Sequence, residues 1–399
     1  MRILVITNVW PPTVVGGYEI GCERQVAMLE SRGHAVTVLT SAWKRSTAPG
    51  QSGVRRVLPL SFARPSITRR LVREIKSQRA AHRVLREVRP DVVYVCNMRY
   101  VSRSVLLIAQ ERSPVVYFVS DPWFAEGPLE DGWVAQWQRA QARPSLPARL
   151  VSLVPERIVR TRFGSLQLDH VQFASRALRT TALAEIAEVT HAGVIHWGVD
   201  VNEFAPRQRS DRAERFLFVG QLSPHKGAAT ALRAFLELCT AHPERDLHFT
   251  MAGVPASSAY DAELRSLADA SGMGTHVTFA GMVDRHRMAD VYADHDVLIF
   301  ASEWDEPFSI ALVEAMASGL AIVATMTGGT PEIATPEQNV LAFEAGNASA
   351  CRRQMERLFD PELARALQVA ARATVETRFT LDVMVDAIEA ELRAAARCD

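Results

Sequence analysis

Glu303 to Glu332 reads EWDEPFSIALVEAMASGLAIVATMTGGTPE and follows a short apolar run, Asp296-Val-Leu-Ile-Phe-Ala-Ser302. That run has the length and make-up of a buried strand. A polar loop punctuated by Pro307 comes next. Ile310 to Ser318 has helical spacing, apolar at Ile310, Leu312, Val313 and Met316, and Gly319 stands where a helix C-terminal glycine belongs. Leu320 to Thr325 predicts a second buried strand directly after it. The loop that opens the helix carries Glu306, and Glu314 lies eight residues later. Amides at a helix start, here those of Phe308, Ser309 and Ile310, can hold an anion with help from the helix dipole. A carboxylate accepts hydroxyl hydrogen bonds well, as from a ribose or a hexose. Two solvated glutamates on a surface helix are the plain alternative. Strand, loop, helix, glycine and strand in one run favour a site for a ligand with hydroxyls and phosphate.

The residues Glu306-Pro-Phe-Ser-Ile-Ala-Leu-Val-Glu314-Ala-Met-Ala-Ser-Gly319 closely resemble the donor-binding signature of the retaining glycosyltransferases of family 4, and Gly328-Gly329-Thr-Pro-Glu332 resembles the glycine pair that follows it. The resemblance implies a GT-B fold, in which two Rossmann-like doubly wound α/β domains face each other across a cleft. It also implies a nucleotide-sugar site, with Glu306 facing the transferred sugar and Glu314 the ribose hydroxyls.

The rest of the chain is read against that expectation. At 399 residues it is too long for one ordinary core, so two domains are the default. No apolar run approaches the roughly 20 residues of a membrane helix. The first residues enter a strand at once, which argues against a signal peptide. The five cysteines are scattered, with no Cys-x-x-Cys, so zinc and disulfide frameworks fit poorly and a reducing cytoplasm fits best. Charge is uneven: residues 1–200 carry 27 Lys+Arg against 16 Asp+Glu, and the rest 18 against 29. That asymmetry points to an anionic partner for the first half.

Arg2 to Thr7 predicts a buried strand, Asn8 to Gly17 a loop with Gly16-Gly17, Tyr18 to Arg32 a helix ending at Gly33, and Ala35 to Thr40 the next strand. Glycines at a helix entrance allow close approach to a phosphate, though paired glycines are usually just turns. The pattern is not Gly-x-Gly-x-x-Gly, which argues against a standard dinucleotide site. It resembles the first loop of family-4 enzymes, which lies beside donor and acceptor. Asp91 to Val95 and Val115 to Val119 are further strands, the second followed by Ser120-Asp121-Pro-Trp. The family often has His-Asp near here; Asp121 matches its second residue and Ser120 replaces the histidine. A turn residue before proline is the other reading of Asp121.

Residues 64–89 hold nine Lys/Arg and two Glu, with Ile67, Leu71, Ile75, Leu85 and Val88 roughly on one helical face. A basic amphipathic helix can lie on an anionic membrane; a solvated helix packed on a sheet is the alternative. Residues 139–162 add six arginines among prolines. No nucleic-acid motif or interleaved aromatics accompany these charges, so nucleic acid is not expected as a partner.

His196-Trp-Gly-Val-Asp200 with Phe204-Ala-Pro206 resembles the family's interdomain segment. A second alternating series begins at Arg215. The domains are therefore drawn at 1–206 for the acceptor side and 207–379 for the donor side, with a C-terminal helix at about 380–399 packing back on the first. Gly220-Gln-Leu-Ser-Pro-His-Lys226-Gly227 places a lysine at a helix start, where it can neutralise a leaving phosphate. The family usually has arginine where Gln221 stands; Gln221 can donate a hydrogen bond but brings no charge. Asp294-His-Asp296 matches the Asp-x-Asp of metal-dependent glycosyltransferases, yet its place between helix and strand suggests a helix end. No metal and no cofactor are expected.

The expected activity is transfer of a hexose from a nucleoside-diphosphate sugar to an unidentified acceptor, with retention, Glu306, Lys226 and Asp121 being the catalytic candidates. Gly16, Gly17, Gln221, Lys226, Phe308, Ser309, Ile310 and Glu314 are the donor-binding candidates. A GT-B phosphorylase or sugar-nucleotide epimerase is the first alternative, and a non-catalytic sugar-nucleotide binding protein the second. Release of nucleotide diphosphate on adding acceptor separates them.

Overall fold

The computed structural model describes residues 1–14, 16–43, 53–60, 67–123, 166–185, 189–206 and 213–397. Residues 139–162 lie outside them. The chain divides into two compact units, one of Met1–Ile195 with Val385–Asp399 and one of His196–Met384.

The first unit runs β1 (Arg2–Thr7), α1 (Gly17–Ser31), β2 (Ala35–Ser41), β3 (Val54–Leu58), α2 (Ile67–Val88), β4 (Val92–Asn97), α3 (Ser104–Gln110), β5 (Val115–Val119), β6 (His170–Phe173), α4 (Arg176–Glu185) and β7 (Ala192–Val194). Its sheet has the order β3-β2-β1-β4-β5-β6-β7, every pair parallel. Every residue of β4 and β5 is buried, which is why these strands read as apolar runs, broken only by Asn97 at the end of β4.

The basic helix α2 packs on the sheet, and its buried stripe differs from the one the apolar residues suggest. Glu74, Ser77, Ala80, Ala81, Val84 and Leu85 are buried, while Leu71, Ile75 and Val88 are half-buried at the flank. The alanines let the helix lie close to its neighbours. Buried Glu74 is tolerated because Gln78 Nε2 and Ser102 Oγ donate to it at 2.7 and 2.5 Å.

The second unit runs β8 (Arg215–Val219), α5 (Ala228–Ala241), β9 (His248–Ala252), α6 (Ser258–Ala270), β10 (Val277–Gly281), α7 (Met288–Ala293), β11 (Val297–Phe300), α8 (Ile310–Ala317), β12 (Ala321–Thr325), α9 (Thr330–Ile333), β13 (Leu341–Phe343), α10 (Ala348–Arg357) and α11 (Pro361–Arg378). Its parallel sheet has the order β10-β9-β8-β11-β12-β13. Asp296 Oδ2 accepts the amides of Glu214 and Arg215 at 3.2 and 2.9 Å and so ties the entry of β8 to β11, while Asp294 caps the C-terminal end of α7.

The last helix, α12 (Leu381–Arg397), begins in the second unit and ends in the first. In the first unit Glu389 meets Arg32 at 3.0 Å and His34 at 2.8 Å, and Glu391 meets His170 at 2.7 Å.

Candidate active site

In the second unit the strand order reverses between β8 and β11. Doubly wound sheets bind ligands at such a switch point, outside the strands' C-terminal ends. The loops leaving these two strands meet there. The Glu303 amide donates to the His225 carbonyl at 2.8 Å, and Lys226 Nζ lies 2.5 Å from Glu306 Oε2. Lys226 ends a short 3-10 turn, Pro224–Lys226, closed by Gly227 at φ +68°. A side chain at Gly227 would place its Cβ 1.8 Å from the Ala301 carbonyl oxygen, so this position demands glycine twice over.

Glu306 is buried, with 8% of its surface exposed. Its Oε2 also accepts Trp304 Nε1 at 3.0 Å and Ser302 Oγ at 3.3 Å. The Lys226 ammonium lies 5.2 Å from the Trp304 ring centroid, a cation–π distance. Three donors therefore converge on one carboxylate oxygen, and Oε1 has no partner among the described residues. The glycine pair fixes the backbone here. Gly329 N donates to the Glu306 carbonyl at 2.7 Å, and a Cβ at Gly328 would fall 2.4 Å from that same oxygen.

Helix α8 starts four residues after Glu306. Ser309 caps it, its Oγ accepting the Leu312 amide at 3.2 Å. Among the described residues no hydrogen bond uses the amides of Phe308, Ser309 or Ile310. Phe308 is anchored by rings: His196 stacks on it at 5.6 Å, and Phe379 lies 5.9 Å away. His196 is held in turn by Glu332, 2.9 Å from its Nε2. Gln221 is exposed, and its side chain makes no hydrogen bond among the described residues.

Glu314 is not an open carboxylate. It is buried, Arg285 meets its Oε1 at 2.5 Å, and the Tyr292 hydroxyl donates to its Oε2 at 3.1 Å. The Arg285 guanidinium sits 5.0 Å from the Phe204 ring centroid. Burial works against the Arg285 charge, but Glu314 outweighs it and holds the guanidinium above its ordinary value. Burial first, and the Glu314 charge second, push the Tyr292 hydroxyl well up, so it stays a neutral donor. A ribose at Glu314 has to share it with these two groups. The sequence carries no spacing signal for Arg285, which is one of several basic residues in a short turn. Trp304 lies inside the quoted stretch, yet its indole contact with Glu306 depends on how the loop folds back.

The first unit also has a switch point, between β1 and β4. Gly16, in extended backbone at the start of α1, already donates its amide to Glu19 Oε2 at 2.9 Å. An anion at this turn meets a carboxylate. Asp121, after β5, accepts Asn97 Nδ2 at 2.9 Å and the Trp123 amide at 2.8 Å.

Two doubly wound units in succession, the second with this loop pair at its switch point, define the GT-B class. The family model described as glycosyl transferases group 1 matches residues 200–374, and that described as glycosyltransferase family 4 matches residues 15–203. The chain belongs to this family of glycosyltransferases. It is 31% identical over 217 residues, 50% of this chain and 51% of the relative, to the D-inositol 3-phosphate glycosyltransferase of Arthrobacter sp. strain FB24. The matched stretch spans between 34% and 59% of the curated relatives' length. Among solved structures, the sucrose-phosphate synthase of Thermosynechococcus elongatus matches with a TM-score of 0.73 at 17% identity, covering 100% of this chain and 99% of that one. Anabaena HepE in complex with UDP matches with a TM-score of 0.71 at 18% identity, covering 99% and 100%.

Proposed function

We propose that the protein transfers a hexose from a nucleoside-diphosphate sugar to a sugar, lipid-linked or small-molecule acceptor with retention of configuration. The observation that carries this reading is the Lys226–Glu306 contact beside the unengaged amides of Phe308, Ser309 and Ile310. An ammonium and a helix start with spare amides suit a diphosphate. The open Oε1 of Glu306 suits a sugar hydroxyl. HepE binds UDP, and UDP is one nucleotide to try first.

In this reading the anomeric C–O bond breaks towards the diphosphate through an oxocarbenium-like state. Lys226 and the α8 amides stabilise the departing phosphate, and Gln221 adds a neutral hydrogen bond. Glu306 orients the sugar and favours developing positive charge. The Glu314–Arg285 pair takes the ribose. Gly17 next to the diphosphate, and Asp121 next to the reacting sugar, are roles the family resemblance implies; the same role for Gly16 requires Glu19 to give up its amide. The acceptor hydroxyl attacks the same face the diphosphate leaves and gives its proton to the departing phosphate, so no covalent intermediate forms, and neither metal nor cofactor is required. The basic segments 64–89 and 139–162 bring this cytoplasmic enzyme to an anionic membrane.

The first test is a thermal-shift screen of UDP-, GDP-, ADP- and dTDP-sugars on wild type and Glu314→Ala. A melting temperature raised by one nucleotide in wild type and unmoved in the variant is the expected result. No shift with any of them counts against the donor site. Trapping a glycosyl-enzyme would sink the same-face mechanism.

A further inference from the structure

The outer face of α2 carries a regular stripe. Arg69, Val72, Lys76, Arg79, Arg83 and Arg86 recur every three or four residues, and all six are exposed. The last four line a concavity of about 770 Å³ whose floor includes Val57 and Ala80. Exposed Arg112, just past α3, adds a fifth cation from a different element. No carboxylate lines the concavity, and among the described residues none pairs with Lys76, Arg79, Arg83 or Arg112.

Like charges at these helical spacings repel and cost stability. The dipole at the C-terminal end of α2 accounts for Arg86, the one basic residue in its last turn. It does not account for Lys76 in mid-helix or for Arg112. Position separates this concavity from the first unit's switch point. A crossover helix runs antiparallel to its strands, so Arg83 and Arg86 in the C-terminal half of α2 lie towards the strands' N-terminal ends, as does Arg112 three residues before β5; Val57, near the C-terminal end of the edge strand β3, is the exception. The loops carrying Gly16 and Asp121 leave from the opposite, C-terminal, ends.

We infer that this concavity is a second anion site, one that binds a phosphate group carried by a lipid headgroup or by a small soluble molecule. Four arginines suit phosphate oxygens by forked hydrogen bonding, and Lys76 adds a point charge. The inference deepens the proposed membrane contact of residues 64–89 by naming the group bound there, and it does not depend on the donor reading.

The test compares Arg79→Gln/Arg83→Gln with two controls: Arg233→Gln/Arg353→Gln, which removes equal charge from exposed positions elsewhere, and Lys226→Ala. All the glutamine changes fall on exposed side chains, and unchanged circular dichroism and melting temperature check folding. The probes are pyrophosphate, followed by calorimetry, and phosphatidylcholine vesicles with and without phosphatidylglycerol, followed by co-sedimentation. The site variant should lose at least one probe roughly tenfold or more while both controls keep it. Loss of the vesicle probe alone names a headgroup, and loss of pyrophosphate names a soluble ligand. Wild type binding neither probe, or all variants binding alike, overturns the inference.

Discussion

At the end of β1 the chain turns into a helix whose first amide is taken by its own carboxylate, Glu19 accepting from Gly16 at 2.9 Å. At the end of β11 it turns into a helix whose first amides, at Phe308, Ser309 and Ile310, donate to nothing among the described residues. Both turns border the switch point of their own parallel sheet, β1 on one side of it and β11 on the other. One is closed by a negative charge, and the other is flanked by the Lys226 ammonium at 2.5 Å from Glu306. A doubly wound sheet fixes where loops emerge, but the side chains on them decide which sign of charge the site accepts. On the proposed reading, this contrast favours the second unit for phosphate recognition.

The largest expected effect tests that assignment. Lys226→Ala removes the cation opposite the leaving phosphate and should lower kcat/KM with the preferred nucleotide sugar by about 100- to 1000-fold. Lys226→Arg should recover part of the loss. A twofold change or less would move the phosphate elsewhere and break the contrast.

The next effect compares a glycine after β1 with one after β8, strands at matching places in the two sheets. Gly227 has φ +68°, and its Cβ would sit 1.8 Å from a carbonyl oxygen, so Gly227→Ala should cost on the order of 3 kcal/mol. At Gly16 φ is −155°, and an added Cβ meets nothing within 4 Å, so Gly16→Ala should cost roughly 0.5 kcal/mol or less. Urea midpoints of the two variants check this. Equal midpoints would mean that the loop after β8 is not braced against β11 as described.

Much of this was legible in the sequence because burial on both faces leaves a simple trace. Val297–Phe300, residues 321–324 and Val115–Val119 are unbroken apolar runs, and Gly319, at φ +74°, ends α8 as its position predicts. The loop carrying Glu306 could be singled out by its order of elements and by the family signature. Pairings across the sheet were not legible. Arg285 is 29 residues from Glu314, and nothing local marks it as the partner that occupies that carboxylate. The packed face of α2 misled for a related reason. Isoleucine and leucine advertise a core, but close approach to the sheet selected Ala80 and Ala81, and a hydrogen-bonded Glu74 took a buried place.

The smallest effect sharpens the comparison from the other end of the chain, where α12 is fastened to the first unit. The hydrogen bond from His34 holds the Glu389 carboxyl below its ordinary value of 4.5; burial opposes this, and Arg32 adds to it. A depressed carboxylate contributes stability that is fully present above 4.5 and is lost as pH falls through its folded value. Glu389→Gln should therefore lower the melting temperature at neutral pH by a shift worth within roughly 1 kcal/mol, as expected of a partly solvated pair. The gap to wild type should stay constant down to about 4.5 and then close on further acidification. Melting curves across that range check the sign. A gap that widens in acid would mean that Glu389 acts through packing of α12 and not through its charge, and the helix would then be held to the first unit mainly by its buried Ile388 and Leu392.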